Sequence, residues 1–72
     1  MIDAMEYLAV IEIDGTAIGA SVPDLPGCFA VGKTVAEVED LIRGAIVFHI
    51  EGLRLAGLPV PEPTSRPLMV AV

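Results

Sequence analysis

Val22-Pro23-Asp24-Leu25-Pro26-Gly27-Cys28-Phe29-Ala30-Val31-Gly32-Lys33-Thr34 is the stretch on which the fold turns. Neither Pro23 nor Pro26 can donate a backbone hydrogen bond, so a strand that reaches Val22 must stop there. Gly27 supplies a position where positive φ costs nothing, and Asp24 can bond nearby backbone N–H groups, so residues 23–27 read as a fixed turn. Cys28 to Val31 then reads as a short strand ending at Gly32. Thr34 and Glu37 stand in capping-box spacing, with Thr34 capping a helix and Glu37 reaching back to its backbone N–H.

Before the turn, residues 5–13 are rich in β-branched, aromatic and aliphatic side chains and partly alternate. Tyr7, Ala9, Ile11 and Ile13 would share one face, with Glu6, Leu8, Val10 and Glu12 on the other. Asp14-Gly15, followed by Thr16, is a hairpin signal, since both residues tolerate positive φ. Residues 17–22 read as the antiparallel return strand, with Gly19 as a candidate bulge.

After Thr34 the spacing predicts a helix over residues 35–56. Val38, Leu41, Ile42, Ala45, Ile46, His49, Ile50 and Leu53 recur at the helical period and make one wide apolar face. Gly57 suits the position after the C-cap, and Pro59 prevents continuation. Pro59-Val60-Pro61-Glu62-Pro63 reads as an extended connector, and residues 68–72 as a last strand. The order β-β-β-α-β makes a two-layer α+β sandwich in a single domain, 1–72, with one sheet face under the helix and the other left for a partner.

Composition narrows the function. A chain of 72 residues buries only roughly 60% of its unfolded surface, so its core is marginal without further support. Cys28, the one cysteine, excludes an internal disulfide, and one histidine with one cysteine falls short of a structural zinc site. Self-association is the remaining source of stability, and a 54% hydrophobic content agrees with it. Ten acidic against four basic residues give a net charge of −6. That surface repels phosphate backbones, which disfavours nucleic-acid binding, and suits a basic protein partner. No apolar run reaches the roughly 18 residues of a membrane span. Asp3 and Glu6 stand where a secretory leader is basic. With the lone cysteine, these features point to the cytoplasm.

Residues with chemical potential have ordinary readings. Cys28, between Gly27 and Phe29, reads as a buried small hydrophobe, and His49 as a half-buried, hydrogen-bonded residue in the helix's apolar face. Glu12, Asp14 and Asp24 invite comparison with the metal-binding carboxylates of nucleases, but hairpin, turn and edge roles account for each. No catalytic residue, metal or cofactor is assigned. Phe48 and Leu55 extend the apolar stripe past what one sheet covers, which makes them candidate oligomer contacts; Val47 is more isolated and reads as a surface residue.

The stretch from Val22 to Thr34 resembles the hallmark of the HicB antitoxin family. So do the Thr34/Glu37 cap, the helix carrying Ala45 and His49, and Gly57 followed by Pro61-Glu62-Pro63. The likeness runs from about Tyr7 to the C-terminus. It implies a partial RNase H-like fold with the order β-β-β-α-β, and an antitoxin that neutralises a small HicA-type mRNA-cleaving toxin. It also implies self-association into dimers or tetramers. Glu12, Asp14, Asp24 and Glu62 are the acidic candidates for the toxin contact. Many relatives add a C-terminal DNA-binding segment; with Val72 directly after the last expected strand, DNA binding by this chain alone is not expected. An orphan, non-catalytic homo-oligomeric regulator without a cognate toxin is the alternative reading.

Overall fold

Hydrogen-bonded turns, more than strand length, shape this small sheet. In a computed structural model that describes residues 5–72, strand β1 (Val10–Asp14) meets strand β2 (Ala17–Ser21) through the two-residue turn Gly15-Thr16. Only Gly15 takes positive φ there (+62°), the arrangement of a type II′ turn, whose twist matches that of the flanking strands. Strand β3 (Phe29–Gly32) pairs antiparallel with the other side of β2, giving the order β1-β2-β3. Gly19 pairs in register with Glu12 and Val31, so the bulge expected there is absent and the ladder runs straight through it.

Between β2 and β3 the chain makes two successive turns. Leu25 N–H donates to the Val22 carbonyl at 3.0 Å, and Cys28 N–H to the Leu25 carbonyl at 3.0 Å. Each proline sits second in its turn, where its fixed φ fits, and Gly27 takes φ +86° as the third residue of the second turn. A further bond from Val22 N–H to the Cys28 carbonyl closes the loop at its base. The double turn drives Leu25 inward until none of it is exposed. Leu25 lies at the centre of the core with Ala20, Val22, Cys28, Val38 and Ile42. Burial raises the pKa of the Cys28 thiol, which keeps it a protonated, packing side chain.

Helix α1 (Val35–Leu55) begins where expected: Thr34 caps it, its hydroxyl accepting from Glu37 N–H at 3.1 Å. The reciprocal bond of the capping box is not found among the described residues. Instead the Glu37 carboxylate lies against Gly32, where an added Cβ would come within 2.7 Å of it and 3.0 Å of Val38. Gly32 thereby lets the helix's first turn approach the end of β3. At the other end Leu58 N–H bonds the Leu53 carbonyl and Gly57 N–H the Arg54 carbonyl, with Gly57 at φ +71°. This is a Schellman closure.

The helix packs over β3 and β2, not over β1. Val38 and Ile42 are buried, and Ala45, Ile46 and Ile50 pack around the core cluster. His49 is half-buried, but no hydrogen bond to it is found among the described residues. Leu41, expected on the covered face, is exposed at its edge. Of the face shared by Tyr7, Ala9, Ile11 and Ile13, the first two pack against the core, whereas Ile11 and Ile13 stay exposed because the helix is offset towards β3. Twenty-one residues of helix span about 31 Å, against about 17 Å for a five-residue strand. The C-terminal end of α1 therefore runs past the strands, where Leu55 is exposed, while Phe48 is exposed on the helix flank beside β3. Residues 58–72 carry no strand: the expected last strand, 68–72, is not formed. Asp3, which enters the N-terminal charge reading, lies outside the described residues.

Leu25 is central enough that Leu25→Ala should lower unfolding stability by about 2–5 kcal/mol, the cost of an unfilled core cavity. Gly27→Ala meets no steric contact within 4 Å and should cost only the roughly 1–2 kcal/mol of a left-handed non-glycine residue. Urea unfolding followed by helical circular dichroism measures both.

Candidate functional site: an acidic, open sheet face and a clamped tail

Among the described residues, one face of the sheet has no covering layer. Strand alternation sends Val10, Glu12 and Asp14 of β1, Ala17, Gly19 and Ser21 of β2, and Phe29 and Val31 of β3 to that side. The register sets them in rows: Val10 beside Ser21 beside Phe29, Glu12 beside Gly19 beside Val31, and Asp14 beside Ala17. All three central residues are small, so β2 forms the floor of a trough of about 300 Å³. One wall carries the Glu12 and Asp14 carboxylates and the other the exposed side chains of Phe29 and Val31. A face with a negative rim, a shallow floor and an apolar rim can bind a protein surface by charge and by contact. Gly19 is not small for lack of room: an added Cβ would come no nearer than 3.7 Å to the Ala30 carbonyl.

Asp24 serves a different purpose. Its carboxylate accepts four hydrogen bonds from residues forty positions away: Thr64 N–H at 3.0 Å, Ser65 N–H at 2.9 Å, Thr64 Oγ1 at 3.1 Å and Ser65 Oγ at 2.9 Å. The Ser65 N–H foremost, and then the two hydroxyls and the Thr64 N–H, hold the Asp24 carboxyl below the usual carboxylate range against its partial desolvation. Tyr7 Oη donates to the Pro61 carbonyl a few residues earlier in the tail. Burial, with the nearby Asp24 charge, pushes the Tyr7 pKa up, so its proton stays available for that bond. Together the two contacts fasten residues 61–65 across the end of the sheet.

Of the four acidic candidates, only Glu12 and Asp14 therefore share a face. Asp24 is engaged within the chain, and Glu62 lies on the tail beside Tyr7, at the end of β1 opposite Asp14. The described residues bring no three His, Cys, Asp or Glu side chains together at metal-ligand spacing. The apolar half of the trough, Phe29 and Val31, was missed; its signal is the alternation within β3, which places both opposite Ala30. No helix among the described residues is long and apolar enough to cross a membrane.

A three-stranded antiparallel sheet backed by one helix, with an open acidic and apolar face, defines a small α+β protein built to present a surface. The family described as HicB-like antitoxins of bacterial toxin–antitoxin systems matches residues 7–70, and the chain belongs to that family. A chain of the HicA3 and HicB3 toxin–antitoxin complex superposes with a TM-score of 0.72 at 33% identity, covering 85% of this chain and 71% of that one. A UPF0150 protein of Thermoplasma acidophilum is 35% identical over 92% of this chain and 97% of its own length. A 14.9 kDa protein from the rep–hol intergenic region of Haemophilus phage HP1 is 45% identical over 68% of this chain. The match spans only 37% of that phage protein.

The clamp has a pH signature. A carboxyl whose folded pKa lies below its unfolded value stabilises fully above the unfolded value and loses that contribution as pH falls through the folded one. Amide exchange at Thr64 and Ser65 should therefore accelerate only below about pH 4, after correction for intrinsic rates. Asp24→Ala should raise exchange at both amides roughly tenfold or more at neutral pH, while core helix amides change little.

Proposed function

We propose that this chain is an antitoxin that neutralises a HicA-type, mRNA-cleaving toxin in the cytoplasm by docking on it and blocking RNA access, with no catalysis of its own. The observation that carries this reading is the open sheet face, in a chain of the HicB-like family whose structural relative comes from a toxin–antitoxin complex. An RNA-cleaving protein needs basic residues to hold phosphates. Glu12 and Asp14 would meet such residues directly, while Phe29 and Val31 would supply the desolvated contact that slows dissociation. The chain's net charge of −6 favours encounter with a basic partner. Glu62 would contribute to that long-range field from the tail. Asp24 would act indirectly, by holding the tail in place. Self-association into a dimer or tetramer would accompany this role, with the exposed Phe48 and Leu55 as contacts.

The test is co-expression and co-purification with the small basic protein encoded beside this one. Growth arrest by that protein, relieved by this chain through a stable complex, is the expected result. Arrest that this chain neither relieves nor binds would sink the proposal. Two variants separate docking from folding. Glu12→Lys with Asp14→Lys should slow association roughly tenfold or more and flatten its salt dependence. Gly19→Thr should keep the fold, since the site is an ordinary strand position with space above it, yet fill the trough and weaken the complex. Unchanged affinity in both variants would place the toxin on another surface.

A further inference from the structure

We propose that residues 68–72 of one copy of this chain add as a strand to the free edge of β3 in a second copy, with the reciprocal exchange closing a twofold dimer. The inference concerns self-recognition and does not rest on toxin binding.

Leu68-Met69-Val70-Ala71-Val72 is five residues of strand-forming or apolar type without a charge. In the single chain it touches little: Leu68 is 84% exposed, Met69 93% and Val70 68%. An unpaired segment of this composition would ordinarily be loose and solvated at high cost, because both its apolar side chains and its backbone groups lack partners. Here it is instead delivered from a fixed point. The four hydrogen bonds on Asp24 hold Thr64 and Ser65, and Pro67 stiffens the step that follows. A tail that was merely solvated would need no such anchor at its base.

Among the described residues the sheet offers two open edges, β1 and β3. The β1 edge carries Glu12 and Asp14, and charged side chains on an edge strand are how sheets repel strand addition. Residues Phe29–Gly32 of β3 carry no charge. Beside that edge lies a cleft of about 610 Å³ between β3 and the exposed flank of α1. Its rims are Phe29, Val31, Leu41 and Phe48, all exposed, and Gly44 and Ala45 leave room between them. Asp40 is the one charged residue lining it, and it pairs with Arg43 on the same helix at 3.3 Å. A strand laid along β3 would turn Leu68, Val70 and Val72 to one side and Met69 and Ala71 to the other. The three branched residues suit the cleft under the helix flank; Met69 and Ala71 suit the side where Phe29 and Val31 stand. Two copies of a chain with net charge −6 repel, and this pairing joins them through uncharged segments. When each copy's tail lies on the other's edge the interface is isologous and closes after two.

Light scattering and sedimentation of the full chain, alone, test the idea. The expected result is a dimer at micromolar concentration. Val70→Pro removes a ladder donor from a segment that is largely exposed in its own chain, so it should leave the helical circular dichroism intact and raise the dimer dissociation constant on the order of a hundredfold. Phe48→Asp, on the cleft rim, should do the same, whereas Ile13→Asp, exposed on β1, should leave the dimer unchanged. A wild-type chain that stays monomeric would overturn the proposal, pointing to the toxin or the chain's own edge as occupant. So would a dimer indifferent to Val70→Pro, or one broken by Ile13→Asp and not by Phe48→Asp.

Discussion

The double turn over residues 22–28 is the constraint from which the rest of this molecule follows. Its two prolines and Gly27 hold the backbone in one shape, and that shape points consecutive residues in opposite directions. Leu25 goes inward and becomes the largest wholly buried side chain of a very small core. Asp24 goes outward and takes four hydrogen bonds from the tail. A single loop thus joins sheet to helix through packing and sheet to tail through charge-assisted bonds. In a chain with so little apolar volume to bury, one rigid loop serving both purposes replaces the disulfide or metal that many small domains use.

The second consequence concerns the sheet. Because the loop and the short Lys33-Thr34 connection bring α1 back over β3 and β2, the helix cannot also cover β1. The molecule becomes lopsided in a chemically useful way. Acidic Glu12 and Asp14 lie towards the uncovered strand, while apolar Phe29, Val31, Leu41 and Phe48 gather around the opposite edge. The small residues of β2 lie between them and keep the outer face shallow, so a partner surface can reach both sides at once. Charge and apolar area are therefore separated by the offset of one helix.

Local chemistry was legible in the sequence wherever it acts over a few residues. The Asp14-Gly15 turn, the proline-bounded loop, the Thr34 cap and the Gly57 closure all stand within a residue or two of where propensity places them. Apolar periodicity likewise identified Val38 and Ile42 as buried. What could not be read was anything decided by where the helix lies on the sheet. Ile11 and Ile13 alternate as core residues should, yet remain exposed because no layer reaches them. Asp24 reads as a turn residue bonding its neighbours, and its partners turn out to be Thr64 and Ser65, a pairing that no local pattern encodes. The strand expected at residues 68–72 on their β-type composition is not formed, because a strand also needs a neighbour and composition does not supply one.

That last point bears on how such a small protein reaches adequate stability. A strand-forming segment without a strand beside it is an unfinished interaction, and this chain carries both halves of one: an uncharged apolar tail and an uncharged apolar edge. The acidic surface argues that they are not left open to any passing chain. Like charges keep copies apart in most orientations, so an approach that leads with the neutral edge is favoured over the others. On the proposed function the same charge would draw a basic toxin to the β1 side. Under the two proposals one sign of charge would repel self from the acidic β1 side and attract a toxin to it, while Phe29 and Val31, which line both the trough and the β3 cleft, would be contested between the two partners. On these proposals specificity would reside in the placement of Glu12 and Asp14 on β1, and not in the net charge alone, because the same carboxylates on β3 would close the edge that a second copy would need.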